Sequence, residues 1–309
     1  MAIRIFTDAS SNLFKEILGF NEFDIYVIPM ALKIGDKEYV CYENGVDAEK
    51  MSEDFYMQMK SGLKPKTSLP SPGLLKEKVE EEINKGNKVI YVSLSSGVSG
   101  TYQSASIIAN EINEGKDEKV VAVIDSKTAG LGEGKIAMYA AKLAKEGLAF
   151  DEIIEQTDSY VNRVRSEFSL DSVKYLANSG RISNFKSVIA GALQIKPLLY
   201  GSEEGKIVAT SNVHGRKNAL KKLASQVKEN IVDEKQIVYI THCNCIEDAR
   251  LFETLLHNEG IKNTRIYFYD LITGAHVGPG TIAVFYEGKN REIKKRSIID
   301  SLFKKKEEK

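Results

Sequence analysis

Residues 88–94 (KVIYVSL) form a nearly continuous run of apolar and β-branched side chains. A strand that is covered on both faces has this composition, because neither face meets water. A polar loop and an amphipathic helical pattern follow, and a second run of the same kind lies at residues 120–124. Strands that alternate with helices predict a parallel sheet flanked by helices. We therefore expect an N-terminal α/β domain over residues 1–150.

The second half of the chain has a different pattern. Strand-like stretches at residues 197–200 and 207–212 lie on either side of a turn between Gly201 and Gly205, which predicts an antiparallel hairpin. Helical and strand-like patterns then alternate again. A second domain with a mixed sheet and helices is therefore expected over residues 151–287. The 309 residues are enough for two domains of ordinary size.

The charge and cysteine content narrow the class of protein. The 43 basic residues are balanced by 43 acidic residues. Nucleic acid is not an expected partner, because proteins that bind it normally carry a basic excess. The N-terminus turns polar after a short apolar run, and no apolar stretch reaches the roughly 18 residues of a membrane-spanning helix. Three cysteines, two of them as close as Cys243 and Cys245, are typical of a reducing compartment, so a cytoplasmic location is expected.

The C-terminal stretch, residues 288–309, is predicted to be a charged tail outside both domains. Residues 287–309 contain nine basic and five acidic side chains, a net charge of +4. We favour a solvated helix or a frayed terminus. Apolar residues at 298–299 and 302–303 leave open an amphipathic helix that makes transient contact with a membrane or a partner.

The segment most informative about function is residues 93–102 (SLSSGVSGTY), which links a predicted strand to a helix. Its glycines allow close approach of a ligand, and the first N–H groups of the helix favour an anion. The hydroxyls of Ser95, Ser96, Ser99 and Thr101 add neutral donors. The segment therefore suits a carboxylate or a phosphate at the carboxyl end of a parallel strand. Ser/Gly stretches are equally common as ordinary turns, and the Gly-Lys-Ser/Thr of a Walker loop is missing.

Three other loops have a similar small, polar composition. They are residues 8–11 (DASS), 67–71 (TSLPS) and 125–130 (DSKTAG). Because the carboxyl ends of parallel strands share one edge of a sheet, loops of this kind are expected to converge on one crevice. Each of them alone is weak evidence for a site.

Two arginines and one histidine are further candidates in the second half. Arg181 and Arg216 each follow a glycine near a helix end, and a guanidinium can bind a carboxylate through two parallel hydrogen bonds. His276 lies in the glycine-rich stretch 274–280 (GAHVGPG), which predicts a shaped loop. Taken singly, each residue is more typical of an ordinary surface position.

A metal site is not expected. Residues 242–245 (HCNC) offer soft ligands, but a structural zinc site needs four ligands and the sequence contains no second pair of cysteines. No cofactor is expected either.

A serine hydrolase with Ser99 as nucleophile and His276 as base is one alternative function. Position 101 is Thr, so the Gly-x-Ser-x-Gly elbow is missing, and no acidic residue lies near His276 in sequence to orient it. A regulator that binds a nucleotide or a phosphosugar through the Ser/Gly loop is the other alternative.

Taken together and in this order, these motifs resemble the DegV family over roughly residues 2–287. The matching segments are residues 7–11 (TDASS), 67–71 (TSLPS), 95–102 (SSGVSGTY), 125–126 (DS), 179–183 (SGRIS) and 274–280 (GAHVGPG). The resemblance implies a two-domain protein with a long-chain fatty acid in the interdomain cleft and no catalytic group of its own. Several members serve as the lipid-carrying subunit of bacterial fatty acid kinase. The resemblance thus implies a partner, a separate ATP-binding kinase subunit that makes acyl phosphate.

By position in these motifs, the resemblance implies that Thr67 and Ser99 bind the carboxylate and that His276 joins the same polar network. It implies a supporting or partner-facing role for Ser96, Gly97, Gly100, Arg181 and Arg216. The sequence departs from the family at two positions, with Leu69 where Gln is frequent and Ser179 where Gly is frequent. Both departures leave room for a changed ligand or partner.

Overall fold

The structure is a computed structural model that describes residues 2–14, 23–42, 48–182 and 194–291. Its strands are β1 (Ile3–Asp8), β2 (Ile25–Ile28), β3 (Met30–Ile34), β4 (Lys37–Cys41), β5 (Pro65–Thr67), β6 (Lys88–Ser93), β7 (Val121–Asp125), β8 (Val164–Ser169), β9 (Ile195–Gly201), β10 (Ile207–His214), β11 (Val238–His242), β12 (Thr264–Phe268) and β13 (Ile282–Glu287). Its α-helices are α1 (Ala48–Lys60), α2 (Pro72–Asn84), α3 (Thr101–Asn113), α4 (Leu131–Lys145), α5 (Phe150–Val161), α6 (Lys174–Ser179), α7 (Arg216–Asn230), α8 (Ile246–Asn258) and α9 (Leu271–Val277).

The predicted parallel sheet is confirmed, with the strand order β2-β1-β6-β7. Strand β6 is buried along its whole length. Its alternate residues Val89 and Tyr91 pack with α2 and α3, whereas Ile90 and Val92 belong to the core cluster of α4 and α5. Both faces of the sheet are therefore covered by helices, which explains why the strand sequences are apolar throughout.

A three-stranded antiparallel sheet has the order β4-β3-β5. Helix α1 covers it with the buried residues Phe55, Tyr56 and Met59. The Tyr56 hydroxyl donates to the carbonyl of Tyr269 at 3.2 Å, which ties this small sheet to the second half of the chain. Strand β5 ends at Thr67, one of the candidate site residues.

The second half contains the expected mixed sheet, with the order β10-β9-β8-β13-β11-β12. Strands β9 and β10 form the predicted antiparallel hairpin, and β11 pairs with β12 in parallel. Helices α7 and α8 bury Leu220, Leu223 and Phe252 against one face of the sheet. The α/β fold class is thus confirmed, while domain boundaries at residues 150 and 287 stay predictions. The tail from residue 292 onward lies outside the described residues.

Helix α4 joins the two halves, because it packs against β1 on one side and against β8 and β13 on the other. Its glycines permit close backbone contact on both sides. A Cβ at Gly130, where φ is +60°, would lie 2.6 Å from the Tyr269 ring, and one at Gly134 would lie 2.6 Å from the Ser11 carbonyl oxygen. Both distances are far below van der Waals contact, so no larger residue fits without displacing the neighbouring chain.

We expect the substitution Gly134→Ala to lower the free energy of unfolding by about 1–3 kcal/mol, because the new methyl group meets the Ser11 backbone. Alanine is otherwise the better helix former and would raise the free energy of unfolding, so a decrease points to the steric clash. The control is Gly73→Ala in the first turn of α2, where a Cβ would lie 4.0 Å from the Ser71 hydroxyl and meet nothing closer. Urea denaturation measures both variants. Equal stabilisation of the two would contradict the close packing of α4.

Candidate functional site

Two of the candidate residues meet directly. The Thr67 Oγ1 at the end of β5 lies 3.0 Å from the His276 Nε2 in the last turn of α9. Burial, and next to it the positive charge of Arg181, lower the pKa of His276 to about 4. The imidazole is therefore uncharged near neutral pH, and one ring nitrogen donates while the other accepts. The pair is a neutral hydrogen-bonding unit formed by residues 209 positions apart.

The prediction that residues 274–280 form a loop is wrong for the first half of that stretch, because His276 lies on a helix. The Asp270 side chain accepts a hydrogen bond from the Thr273 N–H at 2.6 Å and so begins α9. Gly274 is required there by packing, since its Cβ would lie 1.8 Å from the Tyr56 hydroxyl oxygen. The helix ends only at Gly278, where φ is +82°.

The Ser/Gly loop follows β6 and leads into α3, as the sequence predicted. The Ser99 hydroxyl lies 2.9 Å from the hydroxyl of Thr101, and it also accepts from the Thr101 N–H at 3.3 Å. Leu69 brings the loop that contains Thr67 beside this helix start, because its Cδ1 lies 3.7 Å from where a Cβ of Gly100 would be. The loops that follow β5 and β6 thus border the same region, although Ser99 and His276 hydrogen-bond to different partners.

The other half of the Ser/Gly loop contacts neighbouring loops. The Ser96 N–H donates to Asp125 Oδ1 at 3.0 Å, and the Ser96 hydroxyl accepts from Lys127 Nζ at 3.2 Å. A Cβ at Gly97 would lie 2.5 Å from the carbonyl oxygen of Gly205. The glycine at position 97 therefore allows the β9–β10 turn to pack on the loop, a role that its neighbours in sequence do not reveal.

The structure separates the two candidate arginines. Arg181 is exposed, donates to the Ser179 carbonyl and acts electrostatically on His276. Arg216, in contrast, forms an ion pair with Asp248 at 2.8 Å and donates to the carbonyl of Gly280 at 2.6 Å. The guanidinium of Arg216 thus holds α7, α8 and the segment before β13 together. Ser183, the last residue of the Arg181 motif, lies outside the described residues.

Comparison with known proteins identifies the family of this chain. A sequence profile of the DegV family, described as "Uncharacterised protein, DegV family", matches residues 2–289. The chain belongs to the DegV family. A DegV domain-containing protein of Clostridium perfringens is 32% identical over 290 residues, which cover 93% of this chain and 98% of that protein.

Solved DegV structures have the same fold. A fatty acid binding DegV family protein from Streptococcus agalactiae matches with a TM-score of 0.80 and 27% identity, over 94% of this chain and 100% of that one. A DegV family protein from Ruminococcus gnavus, solved with vaccenic acid, matches with a TM-score of 0.79 and 27% identity, over 92% and 99% of the two chains.

Other features of this DegV protein bear on metals and membranes. Within the described ranges, the His, Cys, Asp and Glu side chains include no group of three or more that could hold a metal ion. His242 accepts weakly from the Cys245 N–H at 3.4 Å, and burial lowers the pKa of His242 to about 4. As far as the structure describes the chain, none of its helices is long and apolar enough to cross a membrane.

Sequence reasoning missed a set of buried carboxyl groups behind the site, namely Asp8, Glu133 and Asp270. Asp8 accepts from the Tyr91 hydroxyl at 2.8 Å, and Glu133 accepts from the hydroxyls of Thr7 and Ser10, each at 2.9 Å. Burial raises the pKa of all three groups. Their mutual repulsion adds to this effect, so protons are retained in this region at pH values where exposed carboxyl groups are ionised.

Asp270 connects this cluster with the helix that carries His276. Its N–H donates to the Asn12 Oδ1 at 2.6 Å, and Asn12 Nδ2 donates to the Phe268 carbonyl at 3.1 Å. The bonds link the end of β1 to the start of α9 across the two halves of the fold. An acid after β1 and an acid before a helix are visible in the sequence, but their proximity is not.

We expect the stability of the protein to fall as pH rises from about 5 to 8, with Asp270 as one cause. Burial raises the pKa of Asp270 from its ordinary value of 3.8 to about 8. The protonated carboxyl group therefore stabilises the folded state. Its contribution to the free energy of unfolding is complete below about pH 4. This contribution is lost as pH rises through about 8, by up to roughly 1.4 kcal/mol per pH unit.

The variant Asp270→Asn keeps a helix-capping oxygen and removes the ionisation, so the fall should be shallower in this variant. Urea denaturation across this pH range measures the difference. Asp270→Ala, which removes the cap as well, is the control for lost capping. Parallel pH profiles for wild type and Asp270→Asn would contradict the assignment.

Proposed function

We propose that this DegV family protein binds a long-chain fatty acid, with the carboxylate held by Thr67 and Ser99 beside His276. The observation that carries the proposal is the 3.0 Å contact between Thr67 Oγ1 and the uncharged His276. Leu69, two residues after Thr67, lies beside Gly100 at the start of α3, where helix N–H groups favour an anion. The fatty acid binding reported for DegV proteins from Streptococcus agalactiae and Ruminococcus gnavus supports this ligand class.

The hydrogen bonds suggest how neutral groups recognise a carboxylate here. When the proton of His276 is on Nε2, the imidazole donates to Thr67 Oγ1, and the Thr67 hydroxyl is left to donate to the ligand. When the Thr101 hydroxyl donates to Ser99, the Ser99 hydroxyl is likewise left to donate. Two hydroxyl donors then match the two oxygens of one carboxylate. Hydrogen bonds to a charged acceptor are stronger than those between neutral groups.

Burial of the acyl chain supplies most of the affinity in this proposal. Each buried methylene stabilises the complex by about 0.8 kcal/mol, so a sixteen-carbon chain contributes on the order of 10 kcal/mol before ordering costs. An amphiphile bound in this way is expected to remain bound during purification. Native mass spectrometry of the purified protein, followed by organic extraction, identifies the acid and its chain length.

We further propose that the bound carboxylate is presented to a separate kinase subunit. In that reaction a carboxylate oxygen attacks the γ-phosphorus of ATP, ADP leaves, and an acyl phosphate forms. This chain contributes the carboxylate and its orientation, while the partner binds the nucleotide. Arg181 supports this role for two reasons. Its side chain is exposed, and its charge acts on His276, whose pKa it lowers. An exposed cation suits either the negative charge of the phosphoryl group or an acidic partner surface.

A hydrolase mechanism receives less support from the geometry. Ser99 pairs with Thr101 and His276 pairs with Thr67, so the hydrogen bond between nucleophile and base that such an enzyme uses is not formed. Labelling of Ser99 by a fluorophosphonate would favour ester hydrolysis over the proposal. Thermal stabilisation by nucleotides or phosphosugars, and not by fatty acids, would favour a phosphate-binding regulator.

We expect Ser99→Ala to weaken fatty acid binding roughly tenfold or more, because one hydrogen bond to a charged group is lost. The fold should be unaffected, since the change removes a single hydroxyl. The control is Ser106→Ala in α3, where the hydroxyl donates to the Tyr102 carbonyl at 2.7 Å. Titration with a fluorescent fatty acid measures both. Unchanged affinity in Ser99→Ala would remove Ser99 from the carboxylate site.

We expect Arg181→Ala to lower acyl phosphate formation by the purified kinase subunit about tenfold while fatty acid affinity changes less than twofold, because the lost charge acts on the partner or the phosphoryl group. Arg250→Ala is the control, since Arg250 is also exposed and forms a surface ion pair with Glu247 at 3.2 Å. Full turnover with Arg181→Ala would contradict the presentation role.

A further inference from the structure

Arg291 is a buried arginine at the end of the described chain, with 2% of its surface exposed. Its Nη1 donates to the carbonyls of Lys127 at 2.8 Å and Ser202 at 3.2 Å, and its Nη2 donates to the carbonyl of Val161 at 2.8 Å. Its backbone N–H donates to the Asn162 carbonyl at 3.0 Å. One side chain thus joins three segments that are far apart in sequence: the loop after β7, the β9–β10 turn and the end of α5.

The arginine keeps its charge in this position. Burial is the largest effect and lowers the pKa of Arg291 to about 10, which leaves the guanidinium protonated at neutral pH. Asp125 and Glu203 counteract this effect from a distance, whereas Arg165 adds to it. A buried cation is costly unless its donors are paired. The three carbonyls pair both terminal nitrogens, whereas Nε has no hydrogen-bond partner among the described residues, so the carbonyls determine where the side chain lies.

Two of the three segments that Arg291 binds, the loop after β7 and the β9–β10 turn, are the neighbours of the Ser/Gly loop. On one side, Lys127 donates to the Ser96 hydroxyl at 3.2 Å and pairs with Asp125 at 2.7 Å. On the other side, the Ser95 hydroxyl donates to the Gly205 carbonyl at 2.8 Å. Gly205 in turn donates through its N–H to the Ser202 carbonyl at 2.9 Å, the same oxygen that Arg291 binds.

We propose that Arg291 is a positioning residue for the Ser/Gly loop, acting through the Lys127 loop and the β9–β10 turn to hold Ser99 and the start of α3 in place. The consequence for ligand affinity rests on the proposed function, whereas the consequence for loop order does not. Lysine is a poor substitute, because one ammonium group does not reproduce the planar array of guanidinium donors that reaches three carbonyls.

The test compares Arg291→Lys and Arg291→Ala with wild type in the full-length protein. The matched control is Arg163→Lys at the same end of α5, where Arg163 is 42% exposed and pairs with Glu287 at 3.2 Å. Hydrogen exchange of peptides covering residues 93–102 reports loop order without lipid, and peptides from β11 and β12 report the remote fold. Titration with a fluorescent fatty acid reports affinity.

In both Arg291 variants we expect exchange in residues 93–102 to accelerate about tenfold and fatty acid affinity to fall about tenfold, with β11 and β12 unchanged. Arg163→Lys should behave as wild type. If Arg291→Ala does not fold, Arg291→Lys, which keeps the charge, carries the test.

Two results would overturn the inference: wild-type exchange of residues 93–102 in Arg291→Lys, or equal acceleration throughout the molecule, which would indicate general destabilisation. If wild type binds no fatty acid but the loop loosens in Arg291→Lys, the positioning role stands and the proposed function fails.

Discussion

The packing of α4 between the two sheets is the constraint on which the rest of the structure depends. The Gly130 N–H at its start donates to the Ser10 carbonyl at 2.8 Å, and Glu133 in its first turn belongs to the buried carboxyl cluster. The same turn touches Tyr269 and Phe285 of the second half. Because α4 packs against both halves of the fold, it fixes the positions of the loops after the parallel strands relative to α9. The Thr67–His276 contact therefore depends on the packing of both halves against α4.

The electrostatic character of the site follows from this burial. His276 is uncharged near neutral pH, and burial raises the pKa of the carboxyl groups behind it, so these buried groups add little fixed charge beside the hydroxyl donors. Such surroundings suit a ligand that is mostly hydrocarbon with one anionic end. A dense cationic site would attract phosphates and nucleotides as readily as carboxylates. Neutral donors do not favour phosphates in this way, which agrees with the ligand class proposed.

Much of the fold could be predicted because its signals are local. The apolar composition of β6, the Ser71 cap that accepts from the Leu74 N–H, and the β9–β10 turn are all legible within a few residues. The site was only partly predictable. The glycines around His276 suggested a loop, yet Gly274 lies in a helix, and it is glycine because Tyr56, more than 200 residues away in sequence, occupies the space of a side chain. The buried acids and Arg291 escaped notice for the same reason, since their partners come from distant segments.

The position of β13 has a consequence for the synthesis of the protein. This strand, the last one among the described residues, lies inside its sheet, between β8 and β11, and Arg291 follows it within a few residues. On a ribosome, the second sheet therefore stays divided until almost the whole described chain has emerged. The carbonyls of Lys127, Val161 and Ser202 are made much earlier and receive the Arg291 guanidinium only then. The arrangement around the Ser/Gly loop is therefore completed late in synthesis, well after the loop itself has been made.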